Sequence, residues 1–294
     1  MLHEAAFTAF FLLTWARLAP AAGWGASASL LYAALALAVP GLAALAGWAQ
    51  RRWGGPWPGR VRLFAYLPLM CFVFRDLRRT VPLFHPGHMD ALLQSWDLRL
   101  LGAALPHLLD GLPGRAATEA LSVCYMLFFP LLLAASVRWL FAPAAAALAF
   151  YAGLFTLYAA GFAGYVTLPA LGPYAAMHFA APTQGYAATR LLLQTVPWGT
   201  NRADAFPSLH CAVSAFILGF ELLAGRRRVA AWGALPVAGL WASTVLLRFH
   251  YAVDVLAGFA LAGLCLALAA ALLPRAPSRI PSGRPSPARS IQEV

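Results

Sequence analysis

Residues 143–168 read PAAAALAFYAGLFTLYAAGFAGYVTL, 26 consecutive positions without a charge. A helix needs roughly 20 mainly apolar residues to cross the hydrocarbon core of a bilayer. This stretch therefore predicts a spanning helix and sets the fold class. Working outward, residues 26–49 supply another uncharged span, and 117–137 supply one with Glu119 near its end. Residues 229–247 and 251–273 add two more, the latter with one Asp, and 209–224 add a short one. The span at 61–80 is less clean. It runs apolar over Leu63–Phe74 and then meets Arg75, Asp76, Arg78 and Arg79. The expected fold class is all-α: a polytopic integral membrane helical bundle.

Composition agrees. Of the 294 residues, 62% are hydrophobic and 11% charged, against about 45–50% and about 25% in soluble domains. A soluble chain of this kind lacks polar surface to cover itself. That excludes an ordinary soluble enzyme, a disordered protein and a nucleic-acid module, and makes the bilayer the main partner. All 21 cationic residues are Arg, which excludes chemistry built on a Lys nucleophile or Schiff base. The net charge of +11 fits Arg gathered at cytoplasmic loops and anionic headgroups. Cys71, Cys124, Cys211 and Cys265 are far apart and form no CxxC pair, so neither a zinc site nor a disulfide framework is indicated.

Three segments follow. Residues 1–25 read as an apolar or interfacial helix. The start carries Glu4 and no Arg, unlike the positive start of a signal peptide. Residues 26–274 form the membrane-embedded domain. Residues 275–294 hold four each of Pro, Ser and Arg and read as a disordered basic cytoplasmic tail. If Arg226–Arg228 lie in the cytoplasm, alternating the spans puts twelve Arg inside and eight outside, with Arg17 unassigned. This predicts an inner or plasma membrane protein with long non-cytoplasmic segments at 81–116 and 169–207. The first should contain an interfacial helix near Leu92–Leu101. The second, with three Gly and five Pro, should be extended and turned.

Polar groups at membrane depth are costly and mark candidate sites. One cluster, Asn201–His210, opens the span at 209–224. The other, Arg248–Asp254, lies at the junction of the last two spans. The chain crosses the membrane and returns between them, so both reach one face. His250 and Asp254 stand at i and i+4, the spacing of one helix face. A carboxylate there fixes the imidazole tautomer and leaves the other nitrogen as nucleophile or base. His210 supplies the complementary acid. Pro207-Ser208 suits a helix start that favours an anion. Arg202, Arg248 and, less directly, Arg79 are candidates for phosphate oxygens together with Ser208. Asn201, Asp204 and Tyr251 are candidate substrate contacts. The bland readings are a buried His–Asp pair, a helix cap at Ser208, a snorkelling Arg248 and an Asp76–Arg79 ion pair. Two His beside an Asp would also suit a metal, but no close His, Cys or Glu completes a ligand set. Neither metal nor cofactor is expected.

Phe206-Pro207-Ser208-Leu209-His210, paired with the run from Arg248-Phe249-His250-Tyr251 through Asp254 to Gly258, resembles the type 2 phosphatidic acid phosphatase superfamily. The likeness is greatest to its inositol phosphorylceramide synthase-like (inositolphosphotransferase) branch. Asp97–Gly102 and Leu168–Pro173 are also similar to that branch, and the resemblance covers roughly residues 61–273. It implies a metal-free six-helix core, with the 1–25 helix as a possible addition. It also implies that His250 becomes phosphohistidine, Asp254 orients it and His210 protonates the leaving group. Departures are the missing Lys of the first motif, for which Arg79 is the nearest candidate, Leu209 where phosphatases commonly have Gly, and Thr244 where they carry Arg. The expected function is transfer of a lipid-linked phosphoryl or phospho-head group to a hydroxyl acceptor, inositol-like or water. Its near rival is a lipid-phosphate or polyprenyl-diphosphate phosphatase. A proton-coupled transporter is the rival of another class, and the uncharged spans argue against it.

Overall fold

The computed structural model describes residues 2–273. The tail expected at 275–294 lies outside the described residues. Thirteen helices occur among the described residues: α1 (Leu2–Ala22), α2 (Ser27–Trp53), α3 (Trp57–Phe84), α4 (Asp90–Leu101), α5 (Leu105–Leu108), α6 (Arg115–Met126), α7 (Phe128–Leu140), α8 (Ala144–Thr167), α9 (Pro173–Ala176), α10 (Ala187–Gly199), α11 (Leu209–Leu223), α12 (Arg227–Leu246) and α13 (Ala252–Leu272). Six segments are long and apolar enough to cross a membrane: α1, α2, α6 with α7, α8, α12 and α13. The bundle is completed by α3, which carries the charges noted above, and by the shorter apolar α11. The fold is an all-α polytopic bundle, as the sequence predicts.

The uncharged stretch that decided the fold class sits at the centre. Helix α8 has no polar face to turn outward, so neighbours surround it. It packs against α1, α3, α7, α11 and α13, and Phe150, Phe155 and Phe162 are fully buried. Helix α1 lays Phe7, Phe10, Phe11 and Leu18 into the same core. Arg17 donates to the Val166 carbonyl at 3.0 Å, which places it at the end of the bundle reached by the last turn of α8. Outward-facing positions such as Leu37, Trp232, Leu235 and Leu264 are strongly exposed, as lipid-facing side chains must be.

Two breaks shape the site. Pro130 has no N–H for the Met126 carbonyl and its ring crowds that turn, so the span divides at Leu127 into α6 and α7. The junction after α12 has neither Gly nor Pro, yet it turns, because Arg248 takes φ 67. A left-handed conformation is strained for a residue with a Cβ. It is held here by N–H groups of Phe249 and His250 on the Thr244 carbonyl, both at 2.9 Å.

Segment 169–207 departs from the extended reading. It contains α9 and the 13-residue α10, whose Leu191–Leu193 run was obscured by Gly and Pro counted over the whole segment. An acceptor on another helix fixes its start: the Glu119 carboxylate takes the N–H groups of Tyr186, Ala188 and Thr189 at 2.7, 2.6 and 3.0 Å. The helix expected near Leu92–Leu101 is α4, which packs on α13.

Candidate active site

The site begins with backbone. Asp97 on α4 accepts the first free N–H groups of α13, from Ala252 and Val253, at 3.0 and 2.9 Å. Four donors are unsatisfied at any helix start, and a buried carboxylate there satisfies two and complements the helix dipole. Asp90 accepts from Leu171 and Gly172 N–H, each at 2.9 Å, and from the Tyr251 hydroxyl at 3.0 Å. Gly172 has φ 90, and a Cβ there would run into the Phe249 carbonyl oxygen. Glycine is thus required where the 168–173 segment crosses the His250 loop. A parallel bridge joins Ala170 to Asp204. The Ser208 N–H donates to the Asp254 carbonyl at 3.0 Å, and a Cβ at Gly258 would stand 2.5 Å from the Ser208 carbonyl oxygen. That close approach locks the start of α11 to α13 and brings the two histidine motifs together.

His250 is buried, and its Nδ1 lies 2.9 Å from the Ala205 carbonyl oxygen. A carbonyl only accepts, so Nδ1 carries the proton and Nε2 keeps a free lone pair. The Asp254 Oδ2 is 3.4 Å from Nδ1 and also accepts the Tyr251 N–H at 2.9 Å. The i, i+4 spacing is realised differently from expectation. His250 precedes α13, whose cap is Tyr251, so the pair meets through a capping turn and not on one helix face. His210, in the first turn of α11, lies 6.0 Å from the His250 ring, centroid to centroid. Tyr125 and Phe128, on either side of the break at Leu127, pack against it at 4.5 and 4.4 Å.

Both histidines line a cavity of about 350 Å³. Its walls are mostly aromatic, with Tyr158, Phe162 and Tyr165 from α8 and Phe74 from α3. Asp204 and Thr200 also line it, and Thr200 Oγ1 donates to Asp204 at 2.5 Å. Burial pushes the Asp204 carboxyl above the usual carboxylate range, and the Thr200 hydrogen bond opposes that.

The other predicted residues lie elsewhere. Ser208 Oγ accepts from Cys211 N–H at 3.4 Å as the cap of α11 and does not line the cavity. Asn201 closes its own turn on Ala203 N–H at 2.8 Å, and Tyr251 faces Asp90 and Gln94. None of the three Arg residues expected at phosphate lines the cavity. Arg248 pairs with Asp110, donates to the Ala181 carbonyl at 2.8 Å and lies over Phe179. Arg202 is exposed at φ 65, and Arg79 is exposed on α3; neither lines the cavity. One helical turn before Arg79, Arg75 does line it and donates to the Trp198 carbonyl at 2.6 Å. A 3.6-residue period does not say which member of an Arg75, Arg78, Arg79 run faces inward, so the sequence could not choose.

The fold and this constellation define a class: a polytopic integral membrane protein with two histidines and an aspartate joined at one end of its bundle. The PAP2 superfamily profile matches residues 93–268, more than half of the chain, and the chain belongs to that superfamily. The matched residues hold both histidine motifs, Asp97 and the 168–173 segment. Members are typically phosphatases or phosphotransferases. No curated protein and no solved structure matches the chain.

Proposed function

We propose that the protein is a lipid phosphotransferase that moves a phospho-head group from a lipid phosphodiester to a hydroxyl acceptor. The observation that carries this reading is the His250 tautomer: Nδ1 is held by the Ala205 carbonyl, and Nε2 is left as the free nitrogen of a residue lining an apolar cavity beside His210. In the first step Nε2 attacks phosphorus, a P–N bond forms and the bond to the lipid alkoxide breaks. His210 gives that alkoxide its proton. Asp254 faces the imidazole where positive charge appears. In the second step His210 takes the proton of the acceptor hydroxyl, whose oxygen attacks phosphorus, and the P–N bond breaks.

Charge supports a diester. Among the described residues Arg75 is the one cationic side chain lining the cavity, and Asp204 stands in the same cavity. A phosphodiester brings one negative charge, whereas a monoester or diphosphate brings about two or more. The Arg distribution supports a non-cytoplasmic site. Counted from the sequence with alternating spans, twelve Arg fall on the Arg226–Arg228 side and eight on the other, and Arg17, which donates to the Val166 carbonyl at the chamber end, raises the latter to nine.

The test is to incubate purified protein with labelled phosphodiester lipids and labelled lipid monophosphates, with and without inositol, glycerol or a long-chain alcohol. Acceptor-dependent transfer from the diester supports the proposal. Release of inorganic phosphate from monoesters, without transfer, makes it a phosphatase. No turnover and no phosphohistidine with any substrate would overturn the enzyme reading.

A further inference from the structure

A second cavity, of about 430 Å³, opens at the opposite end of the bundle from the histidines. Helix α12 packs on α6 and α11 rather than on α7. Its first half therefore diverges from α7 and leaves a wedge floored by α11. Leu131, Ala134, Gly233 and Val237 give the wedge small apolar walls. Trp232 stands at its edge and is 85% exposed, as a lipid-facing ring would be.

The wedge has a charged end. Arg138 and Glu221 both line it. The Arg138 Nε lies 3.4 Å from one Glu221 oxygen, and the Arg226 Nε lies 3.4 Å from the other. The Trp139 indole N–H also donates to Glu221, at 3.1 Å. One carboxylate is thus shared by two guanidiniums. Beyond that ion pair, Arg138 keeps Nη2 buried with no hydrogen-bond partner, although a buried guanidinium is costly unless its donors are met. Two cations thus share one anion, and Arg227 and Arg228, both exposed, follow in the chain.

We propose that this wedge binds one anionic phospholipid, with an acyl chain between α7 and α12 and its phosphate on Arg138 and Arg226. Apolar walls alone would accept any lipid chain. The unmet Arg138 Nη2 and the surplus of positive charge select an anionic headgroup. The site stands apart from the reaction chamber and does not depend on the proposed reaction.

The full-length protein in detergent is examined by native mass spectrometry with dioleoylphosphatidylglycerol, dioleoylphosphatidylcholine or inorganic phosphate. A photoreactive acyl-chain phosphatidylglycerol then maps the contact. Expected are preferential retention of phosphatidylglycerol, by about fivefold or more for each headgroup contact kept, no retention of inorganic phosphate, and crosslinks within 131–138 and 229–237. Arg138→Gln should remove the preference. Gly233→Leu should remove the bound lipid without relying on charge. A Cβ at Gly233 stands 3.4 Å from Leu218, ordinary contact, so the helix tolerates it. Equal retention of the two lipids, binding of inorganic phosphate alone, crosslinks confined to α3 and α8, or a dimer lost in Gly233→Leu would each overturn the proposal. So would retention unchanged in both variants.

Discussion

At the residue scale, the proposed reaction gives His250 and His210 separable tasks. A leaving alkoxide needs a proton from His210, whereas a nitrophenolate leaves without one. A nitrophenyl phosphodiester should therefore restore the first step in His210→Ala, seen as a burst of nitrophenolate, and none of it in His250→Ala. Acid-labile, base-stable label should form on the first variant only. Equal rescue of both would mean the roles are misassigned. Arg75 supplies the second residue-level test. Charge-assisted hydrogen bonds contribute about 1.5–3 kcal/mol, so Arg75→Gln should lower kcat/KM by roughly 10–100-fold. Arg79→Gln, exposed and outside the cavity, should stay within about threefold of wild type. The reverse ranking would return Arg79 to the phosphate site. The proposed steps use no ion, so activity should survive exhaustive EDTA. Loss on chelation with recovery on one divalent ion would require a metal step instead.

At the element scale, acidic side chains act on helix starts. Asp97 holds the first N–H groups of α13, Glu119 those of α10, and Asp90 the Leu171–Gly172 turn. Asp97 does not line the cavity; through Ala252 and Val253 it holds the helix start that follows His250. Loss of a capping acceptor costs about 0.5–2 kcal/mol, so Asp97→Ala should lower thermal stability modestly. The more telling readout is a fall in kcat at unchanged KM, with label on His250 forming more slowly. Asp97→Asn keeps carbonyl acceptance and should recover part of the rate. A variant that loses stability while its remaining folded fraction keeps wild-type kcat would restrict Asp97 to a structural role.

At the scale of the whole molecule, the Arg distribution predicts sidedness. In a background with Cys71, Cys124, Cys211 and Cys265 replaced, Arg227→Cys should resist membrane-impermeant thiol reagents in intact cells. Gln184→Cys, exposed in the long link before α10, should react. The opposite labelling pattern would place the histidines on the cytoplasmic face.

Composition and uncharged run length alone determined that this chain is a helical membrane bundle, because hydrocarbon leaves the backbone no other way to satisfy its hydrogen bonds over such stretches. The two histidine motifs were legible for the same reason: polar residues at span ends stand out against an apolar chain. The tertiary structure decided which polar neighbours face the chamber. Arg75 lines the cavity and Arg79 does not, Arg248 turns to Asp110 and makes its own left-handed turn, and Ser208 caps a helix. It also decided how His250 meets Asp254, through a capping turn that Asp97 anchors from 155 residues away. Local spacing specifies a helical face only where the helix has begun. Where it begins, and which way each guanidinium turns, depends on partners distant in sequence.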